Sequence, residues 1–213
     1  MKFNQKFAIF DMDGTLVDSM QYWSQVCEDF IREQNIYEEG LMEIINPMTL
    51  EQTADYLNKR FGLTLSPKDM SGRMQELMRS RYAHDVVIKP GVLAFLDKLK
   101  LQGVPMCVAS TTPTNLIGLC LERLDLLRYF EFFVSAEIVG KGKTEPDIYL
   151  YAADRLGAAP ENTMVFEDAM KAGRTAKNAG FSVAAVYDET SKAEWSAFRE
   201  FADCVIEDWT TIE

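Results

Sequence analysis

Two aspartates one residue apart, Asp11 and Asp13, follow the apolar run Phe7 to Phe10 and precede Gly14 and Thr15. A short apolar run that breaks into acidic residues and glycine reads as a buried strand spilling into a turn. Because side chains alternate along an extended chain, both carboxylates are expected on one side, at the carboxyl end of the strand. Like charges that close repel, and a cation relieves the repulsion. Other candidate groups recur downstream: residues 104–109 run apolar into Ser110 and Thr111, residues 164–166 into Glu167 and Asp168, and Lys143 stands in the loop GKGKTEPD at 140–147. Such a set suits phosphoryl transfer. An aspartate attacks phosphorus to form an aspartyl-phosphate, dividing one difficult displacement into two easier ones. Mg²⁺ held by further carboxylates screens the repulsion between nucleophile and phosphate. A lysine adds fixed positive charge, while a hydroxyl and backbone N–H groups at a strand-to-helix turn hold the phosphoryl oxygens. A second aspartate protonates the leaving oxygen and then takes a proton from water.

The elements that must position these groups follow from periodicity. Tyr22, Trp23, Val26, Cys27, Phe30 and Ile31 make one face of a helix. A turn at Asn46 and Pro47 leads to a capping box opening at Thr49 and Gln52, with Leu50, Ala54, Leu57 and Phe61 as its buried stripe. Ser66 before Pro67 caps a further helix carrying Met70, Met74, Leu77 and Met78. Residues from about 19 to 84 therefore read as an all-helical unit. After it, Pro90 and Gly91 open a helix, and strands at 104–109, 132–135, 164–166, 183–186 and 204–206 alternate with helices, including one at 113–127. This is the pattern of an α/β fold with a doubly wound, parallel, Rossmann-like sheet. The expected division is a discontinuous α/β catalytic core, residues 1–17 and 87–213, interrupted by a helical cap, residues 18–86.

Composition narrows the function. Hydrophobic residues at 47% and charged ones at 26% describe a folded protein, not a disordered one. A net charge of -11 argues against nucleic acid or an anionic membrane surface as partner. With no signal-like or membrane-length apolar run, a cytoplasmic location is expected. His84 is the only histidine, which disfavours Ser-His-Asp and Cys-His hydrolases and His-rich metal sites. Cys27, Cys107, Cys120 and Cys204 lack C-x-x-C spacing and are expected in apolar packing.

D-x-D-G-T at 11–15, an apolar strand ending in Ser110, a lysine ahead of Pro146 and Asp147, and the acidic pair Glu167 and Asp168 come in one order along the whole chain. In this they resemble the haloacid dehalogenase superfamily, in the subgroup with a helical cap inserted after the first core strand, close to its β-phosphoglucomutase-like and phosphatase members. The resemblance implies Asp11 as nucleophile and Asp13 as general acid/base, with Ser110 and Lys143 serving catalysis. Phosphate is then bound by Asp11, Met12, Asp13, Ser110, Thr111 and Lys143. Mg²⁺ is held by Asp11, the backbone carbonyl of Asp13 and Asp168, with Glu167 beside them. Lys141 is a competing amine, and Lys143 is preferred for its distance from Pro146. Ala169, Ala172 and Thr144 stand where family members often have Ser, Gly and Pro. Dehalogenases of this family lack the second aspartate, since a halide needs no proton, so Asp13 points to phosphate esters. Mutases carry a histidine ten residues after that aspartate, where this chain has Trp23. The expected activity is Mg²⁺-dependent hydrolysis of a small phosphorylated metabolite through an aspartyl-phosphate. A sugar-phosphate mutase is the alternative, and a phospho-accepting module resembling a response-regulator receiver a more distant one. The chain is expected to be a monomer or weak homo-oligomer.

Overall fold

The computed structural model describes residues 5–45, 48 and 50–212. They form two compact units, the residues up to Met20 with those from Val86 onward, and those within Gln21–Asp85. The first holds a sheet of six parallel strands: β1 (Phe7–Phe10), β4 (Met106–Ser110), β5 (Phe132–Ser135), β6 (Thr163–Glu167), β7 (Ser182–Val186) and β8 (Cys204–Ile206). Its spatial order is β5-β4-β1-β6-β7-β8. The chain builds outward from β1 through β4 to β5, then returns to the other side of β1 for β6, β7 and β8. The reversal falls at β1, where open α/β sheets present ligand crevices beyond the strands' carboxyl ends.

Helices α5 (Val92–Leu101), α6 (Thr114–Arg123), α7 (Ala136–Val139), α8 (Asp147–Leu156), α9 (Met170–Asn178) and α10 (Trp195–Phe201) connect the strands. The central strands β1, β4 and β6 are buried, so they read as continuous apolar runs with no polar alternation. On one side Phe10 stacks on Phe166 at 4.3 Å, with Phe95 and Trp209 packed beside them. On the other, Ile9, Val165 and Tyr149 belong to one buried cluster.

Register sets the height of each strand end. Phe10 pairs with Phe166 on β6 and with Val108 on β4. The Asp11 N–H continues the ladder to the Phe166 carbonyl at 2.9 Å. Asp11 therefore emerges level with Glu167, and Ser110 leaves the neighbouring strand close by.

Elements expected from periodicity differ from the observed ones mainly at their ends. The helix expected over 113–127 stops at Arg123, because Asp125 takes a left-handed φ of 56° and a 3₁₀ turn follows at Leu127–Tyr129. Strand β4 starts only at Met106, the preceding Pro105 having no N–H to give to a ladder. A two-stranded antiparallel ribbon, β2 (Val17–Asp18) with β3 (Val87–Ile88), is too short to carry a periodicity of its own. Cys107 and Cys120 are buried and Cys27 and Cys204 half-buried, all as free thiols.

The second unit takes most of α1 (Met20–Glu33) and all of α2 (Leu41–Ile45), α3 (Leu50–Phe61) and α4 (Pro67–His84). Its core gathers Phe30, Ile31, Leu41, Ala54, Leu57 and Met70. Ser66 caps α4, accepting from the Asp69 N–H at 3.1 Å, with Pro67 in the first turn. The turn at Asn46 and Pro47 and the Thr49 cap lie outside the described residues. Among the described residues no helix is long and apolar enough to cross a membrane.

Candidate active site

Asp11 is 6% exposed and sits at the end of β1. The Lys143 ammonium reaches it from the loop before α8 and also donates to Glu167 Oε1 at 2.5 Å. Tyr149, in the first turn of α8, donates its hydroxyl to the same Glu167 oxygen at 2.7 Å. Lys141, the competing amine, is exposed and pairs instead with half-buried Asp147 at 2.9 Å. Asp11, Glu167 and Asp168 are all buried, each offering a carboxylate oxygen within 4.8 Å of the others'.

Three carboxylates against one ammonium leave the cluster with surplus negative charge. Burial pushes the Asp11 carboxyl up to about 8; Lys143 opposes this, while Glu167 and Asp13 add to it. Asp168 is driven well above the ordinary range by burial and then by Asp11 and Glu167. Burial disfavours the charged Lys143 amine, but Asp11 and Glu167 outweigh it and hold the amine above its ordinary value. Such a site suits a hard divalent cation: an oxygen-only donor set, dry surroundings and uncompensated charge.

Gly14 makes the close packing possible. With φ at 76° it takes a conformation that disfavours side chains, and a Cβ there would lie 2.3 Å from Asp168 Oδ2. The turn around it closes through the Gly14 N–H to the Val17 carbonyl and the Leu16 and Val17 N–H groups to the Met12 carbonyl. Met12 buries its side chain in the core, so what it can offer a ligand is backbone.

Asp13 is used differently from Asp11. Alternation alone would join the two in one carboxylate cluster, yet Asp13 directs its carboxylate to hydroxyls. Ser19 donates to Oδ1 at 2.6 Å and Thr112 to Oδ2 at 2.7 Å. The Thr112 N–H donates to Ser110 Oγ at 3.1 Å. Ser110 is buried as expected of a strand end, but Thr111 is exposed and the buried hydroxyl after it is Thr112.

Ser19, Thr112, Tyr149, Lys89 and Asp188 were not singled out from sequence. Asp188 lies just past β7, so the strand-end rule that picked Asp11 and Glu167 could have found it. It is buried, pairs with Lys89 Nζ at 2.9 Å and accepts from the Thr190 hydroxyl at 2.6 Å. Burial opposes its ionisation, but Thr190 and Lys89 prevail and hold its carboxyl below the usual range. Its charge also reaches Asp168.

Residues 6–180 match the family model of haloacid dehalogenase-like hydrolases. A phosphorylated carbohydrates phosphatase of Thermotoga maritima is 30% identical over 177 residues, 81% of this chain and 81% of its own. Hexitol phosphatase A of Escherichia coli is 30% identical over 183 residues, 85% of this chain and 82% of its own. Among solved structures, CbbY from Rhodobacter sphaeroides in complex with phosphate superposes with a TM-score of 0.82, covering 97% of this chain and 96% of that one. At 20% identity it shares the fold alone.

Proposed function

Because the chain belongs to the haloacid dehalogenase-like hydrolase family, we propose that it is a Mg²⁺-dependent phosphatase. It releases phosphate from a small phosphorylated metabolite by way of an aspartyl-phosphate on Asp11. Lys143 is the observation that carries this proposal, since one buried ammonium holds both Asp11 and Glu167 beside Asp168. A phosphoryl group brought to Asp11 would meet the Lys143 ammonium, and a bound divalent cation would offset the surplus negative charge of the three carboxylates.

Asp11 attacks phosphorus with one carboxylate oxygen, and the bond to the ester oxygen breaks. Asp13 gives its proton to that departing oxygen, then takes one from the water that attacks the aspartyl-phosphate, restoring Asp11 and releasing inorganic phosphate. Ser110 donates its hydroxyl to a phosphoryl oxygen, and Lys143 balances charge on the phosphoryl group as it passes. Glu167, already accepting from Lys143 and Tyr149, keeps the amine in place. Asp11 and Asp168, with Glu167 next to them, would hold Mg²⁺, which when bound supplies positive charge against the phosphate and its developing negative charge.

The substrate is drawn from phosphorylated sugars, polyols and similar small monoesters, supported by the phosphatases among the relatives. Trp23 stands where a mutase would carry histidine, and its indole N–H donates to the Tyr82 hydroxyl at 3.3 Å. Indole does not shuttle protons at neutral pH, which favours water as the final acceptor over a second sugar hydroxyl.

A panel of sugar and polyol phosphates, assayed for phosphate release with Mg²⁺ and with EDTA, tests this. Wild type is expected to turn over at least one ester many times only with the metal, and Asp11→Asn to release none while keeping its circular dichroism. Sustained turnover by Asp11→Asn would remove Asp11 as nucleophile.

A further inference from the structure

Two hydroxyls hold the Asp13 carboxylate, Ser19 at one oxygen and Thr112 at the other, both buried. A hydroxyl is a rotor that donates or accepts as needed. Ionised Asp13 accepts from both. Protonated Asp13 can turn its hydrogen outward to a leaving oxygen, or against a hydroxyl whose own hydrogen swings away. With one hydroxyl on each oxygen, Ser19 and Thr112 fix the direction in which the Asp13 carboxyl faces.

Thr112 does more than Ser19. Its backbone N–H fills an acceptor position on Ser110 Oγ, leaving the Ser110 hydrogen to point at a ligand. One residue thus ties the phosphate-binding hydroxyl to the proton-moving carboxylate, across 99 positions of sequence. Thr112 is also well suited to stay put. Its β-branched side chain has restricted χ1, and the following Pro113 confines its backbone to extended conformations.

We propose that Thr112 is a positioning residue that aims the Asp13 carboxyl at the leaving oxygen, so that its importance grows as the leaving group becomes a weaker acid. This rests on the role given to Asp13 above. An ester whose leaving oxygen departs readily as an anion needs little help from Asp13; one whose leaving oxygen must be protonated needs it fully.

Phenyl phosphate and p-nitrophenyl phosphate differ little in shape but much in leaving-group acidity. Their kcat/KM values cover the steps through departure of the phenol and exclude the later attack by water. Thr112→Val keeps the shape and the backbone N–H while removing the hydroxyl. Its loss of kcat/KM is expected to be about ten- to a hundredfold greater on phenyl than on p-nitrophenyl phosphate. Thr112→Ser is expected to restore the wild-type ratio, and Asp13→Asn to widen it at least as far. Equal losses on the two esters, or no recovery with serine, would overturn the assignment while leaving the phosphatase reading intact. If Asp13→Asn itself leaves the ratio unchanged, or wild type releases no phosphate from either ester, the role of Asp13 fails and this inference with it. Should circular dichroism show the valine variant unfolded, Thr112→Ala answers the same comparison.

Discussion

At Asp11 burial outweighs the adjacent ammonium, and its carboxyl rises from 3.8 to about 8. Below the lower value Asp11 is protonated folded or unfolded. Between the two, the metal-free folded chain keeps a proton that the unfolded chain releases, so stability falls as pH rises through this window. Thermal melts in EDTA between pH 4 and 8 are expected to show that decline, and Mg²⁺ to flatten it, since the cation takes over the proton's place. A flat profile in EDTA would mean that Asp11 is ionised throughout. Gly14 supplies a second test. Gly14→Ala meets both a positive φ, costing about 1–2 kcal/mol, and a Cβ placed 2.3 Å from Asp168 Oδ2. The variant is expected to melt lower and to need more Mg²⁺ for half-maximal phosphate release. An unchanged Mg²⁺ requirement would show that Asp168 shifts without consequence.

Among the elements, α8 contributes more than a connection between β5 and β6. Its first turn carries Tyr149, whose ring lies 5.7 Å from the Lys143 ammonium and whose hydroxyl holds Glu167. Burial and the Glu167 charge push the Tyr149 phenol well above its ordinary range, so it stays a donor at any working pH. Tyr149→Phe removes one of two donors to Glu167 Oε1 while keeping the packed ring. The expected cost is about 1–2 kcal/mol in urea melts, with phosphate release lowered severalfold at limiting Mg²⁺ and less at saturating Mg²⁺. Equal losses at both metal concentrations would confine Tyr149 to packing. Strand β1 shows the complementary economy: pairing on both edges lifts Asp11 level with Glu167, so register alone brings two of the three carboxylates together.

For the whole molecule, two compact units predict uneven resistance to opening. The six-stranded unit buries its central strands, whereas the described residues of Gln21–Asp85 include a smaller cluster around Phe30, Leu57 and Met70. Native-state hydrogen exchange is expected to be slowest in β1, β4 and β6 and at least tenfold faster across α1 to α4; uniform protection would show one cooperative unit instead. The chain's order of apolar runs, turns and helical stripes was sufficient to read the parallel α/β sheet and the strand ends bearing Asp11, Ser110, Glu167 and Asp168. Those features are local, since a buried strand is an uninterrupted apolar run and its polar end follows directly in sequence. The partners of those groups are another matter. The preference for Lys143 over Lys141 was legible in its distance from Pro146, but that Asp13 turns to Ser19 and Thr112, that Tyr149 steadies Glu167 and that Lys89 pairs with Asp188 were decided by the tertiary structure. Most of these groups lie far apart along the chain and meet only through strand register and the azimuth of packed helices, which no local periodicity encodes.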